Sequence, residues 1–360
     1  MKAAVISLGS VSSQWTAEAM KKYFDEVDML HIKAMDVKLG ADAGVYHNAT
    51  PMKNYDCVLV KGSFRYANLL RAISTLLKGK CYIPIVPHAF TSVHNKLLTH
   101  LELQRHNIPM PRTYILPSTK EAKIFLETSS YPIVMKFPEG TQGKGVMLAE
   151  SQASASAMLD ALGALRQPFI IQEYIESGDV DIRAFVVGDK IAASMMRVAK
   201  KGEIRGNIHA GGTGKMYELD RQERKVALEA SRVLGAGICG IDMLHGPKGP
   251  LVIEANISPG LQGITAVTGV DVADKIARFL FDEAKKFSQV QNKSEAEKIL
   301  SEKLVHANDK ELITNLTFKG DRIVLPGVVT KATGFKEDAD YSIKTEKGKL
   351  VIEEFKVRRG

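Results

Sequence analysis

Three oxygen-bearing side chains in the second half of the chain form the pattern with the clearest chemistry. Glu254 and Asn256 lie two residues apart in an apolar run typical of a β-strand, so their side chains point to one face. Asp242 lies in the preceding run, and the turn 246–249 would pair the two strands. Oxygen ligands on one sheet face suit a hard cation such as Mg²⁺ that is shared with phosphates. Each residue alone is typical of an exposed strand face, but the three together predict a metal site.

A lysine followed by a glycine-rich loop predicts contacts with phosphate. Lys136 ends an apolar run, where its ammonium group must reach an anion or solvent. Gly140 and Gly143 lie in the loop that follows, and such a loop lets backbone N–H groups approach phosphate oxygens. The spacing is that of neither a Walker A loop nor a Rossmann turn, so a surface hairpin is an alternative. Lys96, at the start of a predicted helix, is a weaker candidate of the same kind.

A strand with alternating polar residues follows at 171–175. Its period of two would place Gln172 and Tyr174 on one face and Glu173 on the other. Polar residues in this arrangement suit a strand edge that hydrogen-bonds an adenine or a ribose. An ordinary half-buried strand has the same pattern, and periodicity alone does not separate the two.

Arginines further along the chain are candidates for stabilising transferred negative charge. Arg205 and Asn207 precede a glycine pair and could clamp phosphates as catalytic residues, although a flexible basic loop has the same composition. His209 lies in the same segment, where a structural role is the commoner one for a lone histidine. Arg183 and Arg197 are further candidates for anion contact.

The elements that would position these residues begin with an alternating pattern. In residues 1–95, the apolar runs 3–8, 27–32, 55–60 and 82–86 predict strands, and helical segments separate them. Strands that alternate with helices predict a parallel α/β sheet.

The rest of the chain divides into three parts by composition. Residues 96–287 carry every candidate above and are predicted to form a nucleotide- and metal-binding domain. Residues 288–311 are polar and predict a linker that contains a short charged helix. Residues 312–360 are rich in predicted strands and form a small module. The whole predicts a mixed α/β (α+β) architecture.

Composition restricts the class of protein. The chain has 360 residues, 45% hydrophobic and 25% charged, as expected of a soluble globular protein, and its net charge of +8 favours anionic partners. The cysteines at 57, 81 and 239 are odd in number and far apart, which argues against a zinc site or a disulfide framework and favours a reducing cytoplasm. No apolar run approaches the ~20 residues of a membrane span, so no membrane partner is expected.

The order of these motifs adds a resemblance. The lysine-bearing strand and glycine loop precede Gln-Glu-Tyr-Ile, Asp-Ile-Arg, Arg-x-Asn-x-His-x-Gly-Gly, Asp and Glu-x-Asn. This order resembles the ATP-grasp superfamily and, more narrowly, the RimK family of ribosomal-protein α-L-glutamate ligases. The segments most similar to that family are 139–143, 181–183, 254–264 and 268–273. The resemblance covers about residues 1–285 and implies an ATP-grasp domain preceded by a parallel α/β domain.

The resemblance also implies a role for each matching position. ATP would contact Lys96, Lys136, Glu173, Tyr174 and Asp181. Arg205 and Asn207 would reach its phosphates, and Asp242, Glu254 and Asn256 would hold two Mg²⁺ (or Mn²⁺) ions. In that family ATP phosphorylates a carboxylate to an acyl phosphate, which an amine then attacks to give an amide, ADP and phosphate.

The substrates are less well specified than the chemistry. Ala210 stands where an arginine often follows the histidine in the family, and Gln262 stands where glutamate is common. Both positions lie where an amino-acid or peptide substrate would bind. Glutamate, added to a protein C-terminus or to a small-molecule carboxylate, is the expectation that follows from the resemblance.

The C-terminal module has a resemblance of its own. Segments 322–326, 340–343 and 348–352 are similar to the AbrB swapped-hairpin fold, in which two chains intertwine and which often binds DNA. Residues 288–360 hold 14 Lys and Arg against 12 Asp and Glu, a net charge of +2 that is small for binding to DNA phosphates. A homo-oligomerisation module is therefore favoured, and an ATP-sensing regulator that binds DNA through this module is the alternative function.

Overall fold

The computed structural model describes residues 1–140, 145–178, 180–198, 213–306, 317–325 and 327–355. The chain divides into two compact units, Met1–Ser288 and Gln289–Gly360. The description below takes each unit by itself.

The first unit begins with a parallel three-stranded sheet in the order β2-β1-β6, flanked by helices. Strand β1 is apolar and fully buried over 3–6, as expected of a parallel strand that is covered on both faces. The predicted strand at 82–86 is reduced to two isolated bridges, from Tyr82 to Cys57 and from Ile85 to Ala236. The elements of this region are β1 (Lys2–Ser7), α1 (Val11–Met20), β2 (Glu26–His31), β3 (Met35–Lys38), β4 (Gly44–His47), β5 (Thr50–Pro51), β6 (Cys57–Val60), α2 (Ala67–Leu77) and α3 (Ala89–Ser92).

A four-stranded antiparallel sheet follows, in the order β7-β10-β8-β9. Helices α5 and α6 pack on it, and Leu126, Met135 and Leu159 lie in their shared core. Serine side chains cap the N-termini of both helices, through Ser118 and Ser151. The elements are α4 (Lys96–Arg105), β7 (Thr113–Tyr114), α5 (Thr119–Glu127), β8 (Ile133–Lys136), β9 (Val146–Ala149), α6 (Gln152–Ala164) and β10 (Ile170–Glu173).

A five-stranded antiparallel sheet in the order β13-β12-β11-β14-β15 completes the first unit. Its core is continuous with that of the N-terminal sheet, because Ile6 and Leu70 belong to the same buried cluster as Ile241 and Val252. The two sheets are therefore held in a fixed relation. The elements are β11 (Val180–Val187), β12 (Lys190–Val198), β13 (Thr213–Met216), α7 (Arg221–Val233), β14 (Ile238–Gly246), β15 (Gly249–Asn256), α8 (Gln262–Thr268) and α9 (Val272–His306).

Helix α9 contradicts the linker that we expected to begin at residue 288. The helix continues without a break to His306. The segment 288–294 is polar but holds no Gly or Pro, so nothing in it ends a helix that has already begun.

The second unit holds small β-hairpins, in agreement with a strand-rich module. Each hairpin pairs only with itself within the described part of the chain. Its elements after α9 are β16 (Thr317–Lys319), β17 (Arg322–Val324), α10 (Gly327–Thr333), β18 (Tyr341–Glu346) and β19 (Lys349–Glu354). Among the described helices, none combines the length and the apolar character that crossing a membrane requires.

Candidate functional site

A cavity of about 440 Å³ is lined by residues from three sheets of the first unit, namely the parallel N-terminal sheet and the four- and five-stranded antiparallel sheets. Every predicted site residue that the structure describes lines this cavity. They are Lys96, Lys136, Gly140, Gln172, Glu173, Tyr174, Asp181, Asp242, Glu254 and Asn256. The predicted Gly143, Arg205 and Asn207, and also His209, lie outside the described residues.

The predicted metal ligands lie on the hairpin formed by β14 and β15. Asp242 pairs directly opposite Glu254, and Asn256 lies two pairs further along, opposite Gly240, so that all three side chains are on one face of the hairpin. A bulge follows the Asp242 pair, where Ile253 is the extra residue of β15. The three side chains therefore come from neighbouring positions at one end of the hairpin.

Asp242 is also the centre of a buried ion-pair network. Arg183 binds it through two hydrogen bonds, from Nε to Oδ1 at 2.7 Å and from Nη2 to Oδ2 at 2.6 Å. Arg197 donates from Nη2 to Oδ2 of Asp242 at 2.8 Å and from Nε to Oδ1 of Asp181 at 2.5 Å. The four residues face one another across β11, β12 and β14. The network balances two carboxylates with two guanidinium groups.

The pKa values of the two aspartates reflect this environment. Burial alone would raise the pKa of Asp242, but Arg183 and Arg197 outweigh it and lower the pKa to about 2. Burial raises the pKa of Asp181, and the guanidinium of Arg197 acts against that rise. Asp242 is therefore a carboxylate anion at neutral pH.

The donor set fits a hard cation shared with a nucleotide. Three hydrogen bonds occupy the Asp242 carboxylate, which leaves about one acceptor position of four. The Asn256 carboxamide oxygen accepts from the Ser258 N–H at 2.9 Å and has a second lone pair. The Glu254 side chain makes no hydrogen bond or ion pair with another described residue, and so its carboxylate is open to a cation. No group of three His, Cys, Asp or Glu side chains forms a metal cage in the described part of the chain.

Lys136 lies at the end of β8 and is buried on the cavity wall. Its Nζ donates to Oε1 of Gln172 at 2.6 Å, and Nε2 of Gln172 donates to Thr113 at 2.9 Å. Burial lowers the pKa of Lys136 to about 8; Glu254 opposes this effect and Lys96 adds to it. A single neutral oxygen leaves two N–H bonds of this ammonium group available to an anion.

The remaining predicted nucleotide contacts lie beside Lys136. Lys96 donates from Nζ to the Gly140 carbonyl at 3.3 Å, which ties helix α4 to the start of the glycine-rich loop. Glu173 accepts from the Arg112 N–H at 2.8 Å. Strand β10 ends at Glu173, so it does not include Tyr174 as predicted, and Gln172, Glu173 and Tyr174 all line the cavity.

Sequence reasoning did not identify the part of the cavity that the N-terminal sheet contributes. Lys61 and three serines, at 7, 10 and 13, line this part of the wall. The signal for Lys61 was the one that identified Lys136, a lysine directly after a buried apolar strand. His94 lies nearby, and burial, with Lys96 adding to it, lowers its pKa to about 4, so its imidazole is neutral at neutral pH.

Comparisons with known proteins show the family of the domain. The model of the RimK-like ATP-grasp domain matches residues 93–280. A probable alpha-L-glutamate ligase of Vibrio cholerae serotype O1 is 43% identical over 194 residues, which are 53% of this chain and 64% of that protein. A protein of the same description from Cellvibrio japonicus is 43% identical over 185 residues, covering 51% of this chain and 62% of its own length. The match thus spans less than two thirds of these relatives.

Solved structures with low sequence identity share the fold. A RimK domain ATP-grasp protein from Sphaerobacter thermophilus has a TM-score of 0.61 at 20% identity and covers 78% of this chain and 99% of that one. The ATP-grasp ligase PsnB, in complex with a minimal precursor, Mg and ADP, has a TM-score of 0.62 at 17% identity and covers 79% and 98%. The domain match includes more than half of this chain, and the described motif residues within it line one cavity. The chain therefore belongs to the RimK-like ATP-grasp family.

Proposed function

We propose that the protein is an ATP-dependent carboxylate–amine ligase that forms an amide through an acyl phosphate and releases ADP. The observation that carries this proposal is the single cavity that collects every described candidate for nucleotide and metal contact. The relatives named probable alpha-L-glutamate ligases support the same reaction class.

Two groups of side chains would divide the work of binding Mg-ATP. Lys96, Lys136 and the backbone at Gly140 would hold the phosphates, while Glu173 and Tyr174 would contact the nucleoside. The surroundings of Lys136 support a role in binding phosphate, because its buried ammonium group has only Gln172 as a described partner. An arriving phosphate would offset the cost of burying that charge.

The metal trio would lie at the reacting end of the nucleotide. Glu254, Asn256 and the remaining acceptor position of Asp242 would hold Mg²⁺ or Mn²⁺, and two ions are the expected number. When bound, the metal neutralises charge on the transferring phosphoryl group. Arg183 and Arg197 orient Asp242 from the other side, so its carboxylate is fixed before the nucleotide arrives. Arg205 and Asn207 are proposed to contact the phosphates as well.

The substrates are proposed to be an amino acid, with glutamate as the first choice, and a carboxylate at a protein C-terminus or on a small molecule. To identify the acceptor, the protein is incubated with cell extract, Mg-ATP and isotope-labelled glutamate, and the products are examined by mass spectrometry. We expect one species to gain a labelled glutamate residue, with ADP released in equal amount. The ligase proposal would be contradicted if the protein binds Mg-ATP but no pair of an amine and a carboxylate stimulates the release of ADP.

The C-terminal unit is proposed to associate with a second copy of the chain. A two-stranded hairpin is marginally stable alone, and the hairpin of β18 and β19 leaves Ile343 61% exposed and Leu350 46% exposed. Phe318 and Phe355 are also exposed by more than half. A second copy that covers these apolar side chains would remove the cost of exposing them to water.

A negative charge introduced on the apolar face of the β18–β19 hairpin is expected to dissociate the two copies of the chain. For Ile343→Glu we expect the mass from light scattering to fall to that of a monomer, since a carboxylate cannot be buried in an apolar interface. Lys347→Glu, in the exposed turn of the same hairpin, is the control and should leave the mass unchanged. A monomeric wild-type protein would contradict the proposal. A salt-dependent gel shift with DNA that disappears on removal of residues 312–360 would favour the DNA-binding alternative instead.

A further inference from the structure

Lys61 is a buried lysine on the cavity wall that the proposed nucleotide and metal contacts do not use. It follows β6 directly, and only 8% of the residue is exposed. Burial lowers the pKa of Lys61 to about 8, and no acidic group opposes this effect. Its ammonium group takes part in no hydrogen bond or ion pair with another described residue. A buried charge of this kind costs several kcal/mol unless an anion accompanies it.

The position of Lys61 in the sheet is one at which ligands bind. Strands β1 and β6 are neighbours and parallel, but the chain leaves β1 toward β2 on the opposite side. The connections therefore diverge beyond the carboxyl ends of β1 and β6, and such a point forms a crevice for ligands in open α/β sheets. The Lys61 N–H donates to the Ile6 carbonyl at 2.8 Å, which sets Lys61 level with Ser7 in this crevice.

The N-terminus of helix α1 faces the same crevice. Ser10 is its N-cap, and both Ser10 and Ser13 line the cavity with Lys61. The Ser10 Oγ accepts from the Ser13 N–H at 3.3 Å and lies 3.0 Å from the Ser13 Oγ, but the first turn of α1 holds no acidic side chain, so no negative charge balances the partial positive charge at this end of the helix. Lys61, two hydroxyl groups and a helix N-terminus thus converge from two adjacent connections, and each of them favours an anion.

The other cations of the cavity are accounted for. Arg183 and Arg197 are paired with Asp242, and Arg197 with Asp181 as well. Lys96 and Lys136 belong to α4 and β8 and lie beside the glycine-rich loop. Lys61 directly follows β6 and so lies outside the matched domain 93–280. Among the described cations of the cavity, it has neither a partner nor a role in the proposed binding of nucleotide and metal.

A hydrogen bond joins this crevice to the metal trio. The Gly62 N–H donates to the Ser258 Oγ at 3.0 Å, and the Ser258 N–H donates in turn to Asn256. An anion at Lys61 is therefore one short segment of chain away from the side chains proposed to hold the metal. Lys61 and the proposed metal ligands line the same cavity, so one small substrate could contact Lys61 and the metal together.

We propose that Lys61 and the N-terminus of α1 form a subsite for a carboxylate of the amino-acid substrate, namely a carboxylate that is not phosphorylated in the reaction. This inference rests on the proposed ligase function and names the substrate contact at the same cavity. A single ammonium group with hydroxyl and N–H donors suits a monoanion. The nucleotide phosphates have Lys96 and Lys136.

The test compares Lys61→Met with the wild-type protein, and Lys80→Met, an exposed lysine of the same region, is the matched control. Binding of L-glutamate and of succinate to the MgADP-loaded protein is measured by calorimetry, and Mg-ATP affinity is measured separately. We expect Lys61→Met to bind the carboxylate probes at least about thirtyfold more weakly, a loss of about 2 kcal/mol. Its Mg-ATP affinity should change by less than about threefold. Lys61→Arg, which keeps the charge, should recover part of the binding, and Lys80→Met should match the wild type.

Three results would overturn the subsite. The first is unchanged binding of the probes by folded Lys61→Met, and the second is a wild-type protein that binds neither probe. The third is a loss of Mg-ATP affinity in Lys61→Met as large as the loss of probe binding, which would assign Lys61 to the nucleotide. The binding assay requires no turnover. Lys61-dependent probe binding by a protein that forms no amide would therefore contradict the ligase proposal while leaving the subsite in place.

Discussion

Glu254→Gln is expected to reduce substrate-dependent ADP release by at least about a hundredfold while leaving the fold intact. Glu254 is the carboxylate of the proposed metal trio with no described partner, and the change removes its charge at nearly constant volume. A hundredfold loss corresponds to about 2.7 kcal/mol of transition-state stabilisation. We also expect the Mg²⁺ concentration for half-maximal turnover to rise, because a neutral amide is a weaker ligand than a carboxylate. Steady-state kinetics at several Mg²⁺ concentrations measure both effects.

The control for this variant is Glu218→Gln. Glu218 is exposed and lies between β13 and α7, so its charge should not affect the metal. Activity of Glu254→Gln within about threefold of the wild type, less than ~1 kcal/mol in the barrier, would show that Glu254 is not a metal ligand.

Arg197→Met is expected to lower the free energy of unfolding of the first unit by about 3–5 kcal/mol. The guanidinium of Arg197 lies between Asp181 and Asp242, and the three side chains are at most 10% exposed. Removing it leaves Asp181 without its ion-pair partner and Asp242 with Arg183 alone. The single tryptophan of the chain, Trp15, lies in α1 of the same unit, so its fluorescence can follow denaturation by urea.

Arg224→Met provides the comparison for this measurement. Arg224 is exposed on α7, and a surface substitution of this kind changes stability by about 0.5 kcal/mol or less. Adding Asp181→Asn to Arg197→Met should recover part of the loss, because it removes the carboxylate left unpaired. A loss below about 1 kcal/mol for Arg197→Met would mean that water, and not the arginine, compensates these carboxylates.

Strong apolar runs made much of the first unit predictable. The runs 3–8, 27–32 and 55–60 correspond to β1, β2 and β6. The signal was strongest for β1 and β6, because a strand covered on both faces has to be apolar throughout. Helices α5 and α6 were not predicted. The composition of α6 is dominated by Ala and Ser, so its apolar stripe is weak, and only the capping serines, Ser118 and Ser151, marked where the two helices begin.

The candidate site was predictable where short spacing carried the signal. Glu254 and Asn256 could be placed on one face from their spacing of two, and the tight turn brought Asp242 opposite. The partners of Asp242 could not be derived in this way. Arg183 and Arg197 lie 59 and 45 residues away from it along the chain, and their pairing depends on the register of three strands. Lys61 follows an apolar strand as Lys136 does, but the sequence did not show that the packing of two sheets brings Lys61 to the cavity.

The hydrogen bonds that join the N-terminal sheet to the segment after Asn256 limit how such proteins can be recombined. Besides the bond from Gly62 to Ser258, the Leu261 N–H donates to the Ser12 Oγ at 2.9 Å inside the protein. A chimera that takes residues 1–92 from a relative would keep a backbone donor at position 62, but it would lose the Ser12 acceptor wherever that relative has no hydroxyl there, unless the stretch 257–261 is exchanged as well. The segments 1–92 and 257–261 therefore depend on each other although more than 150 residues of sequence separate them. They would have to be inherited, or exchanged, together.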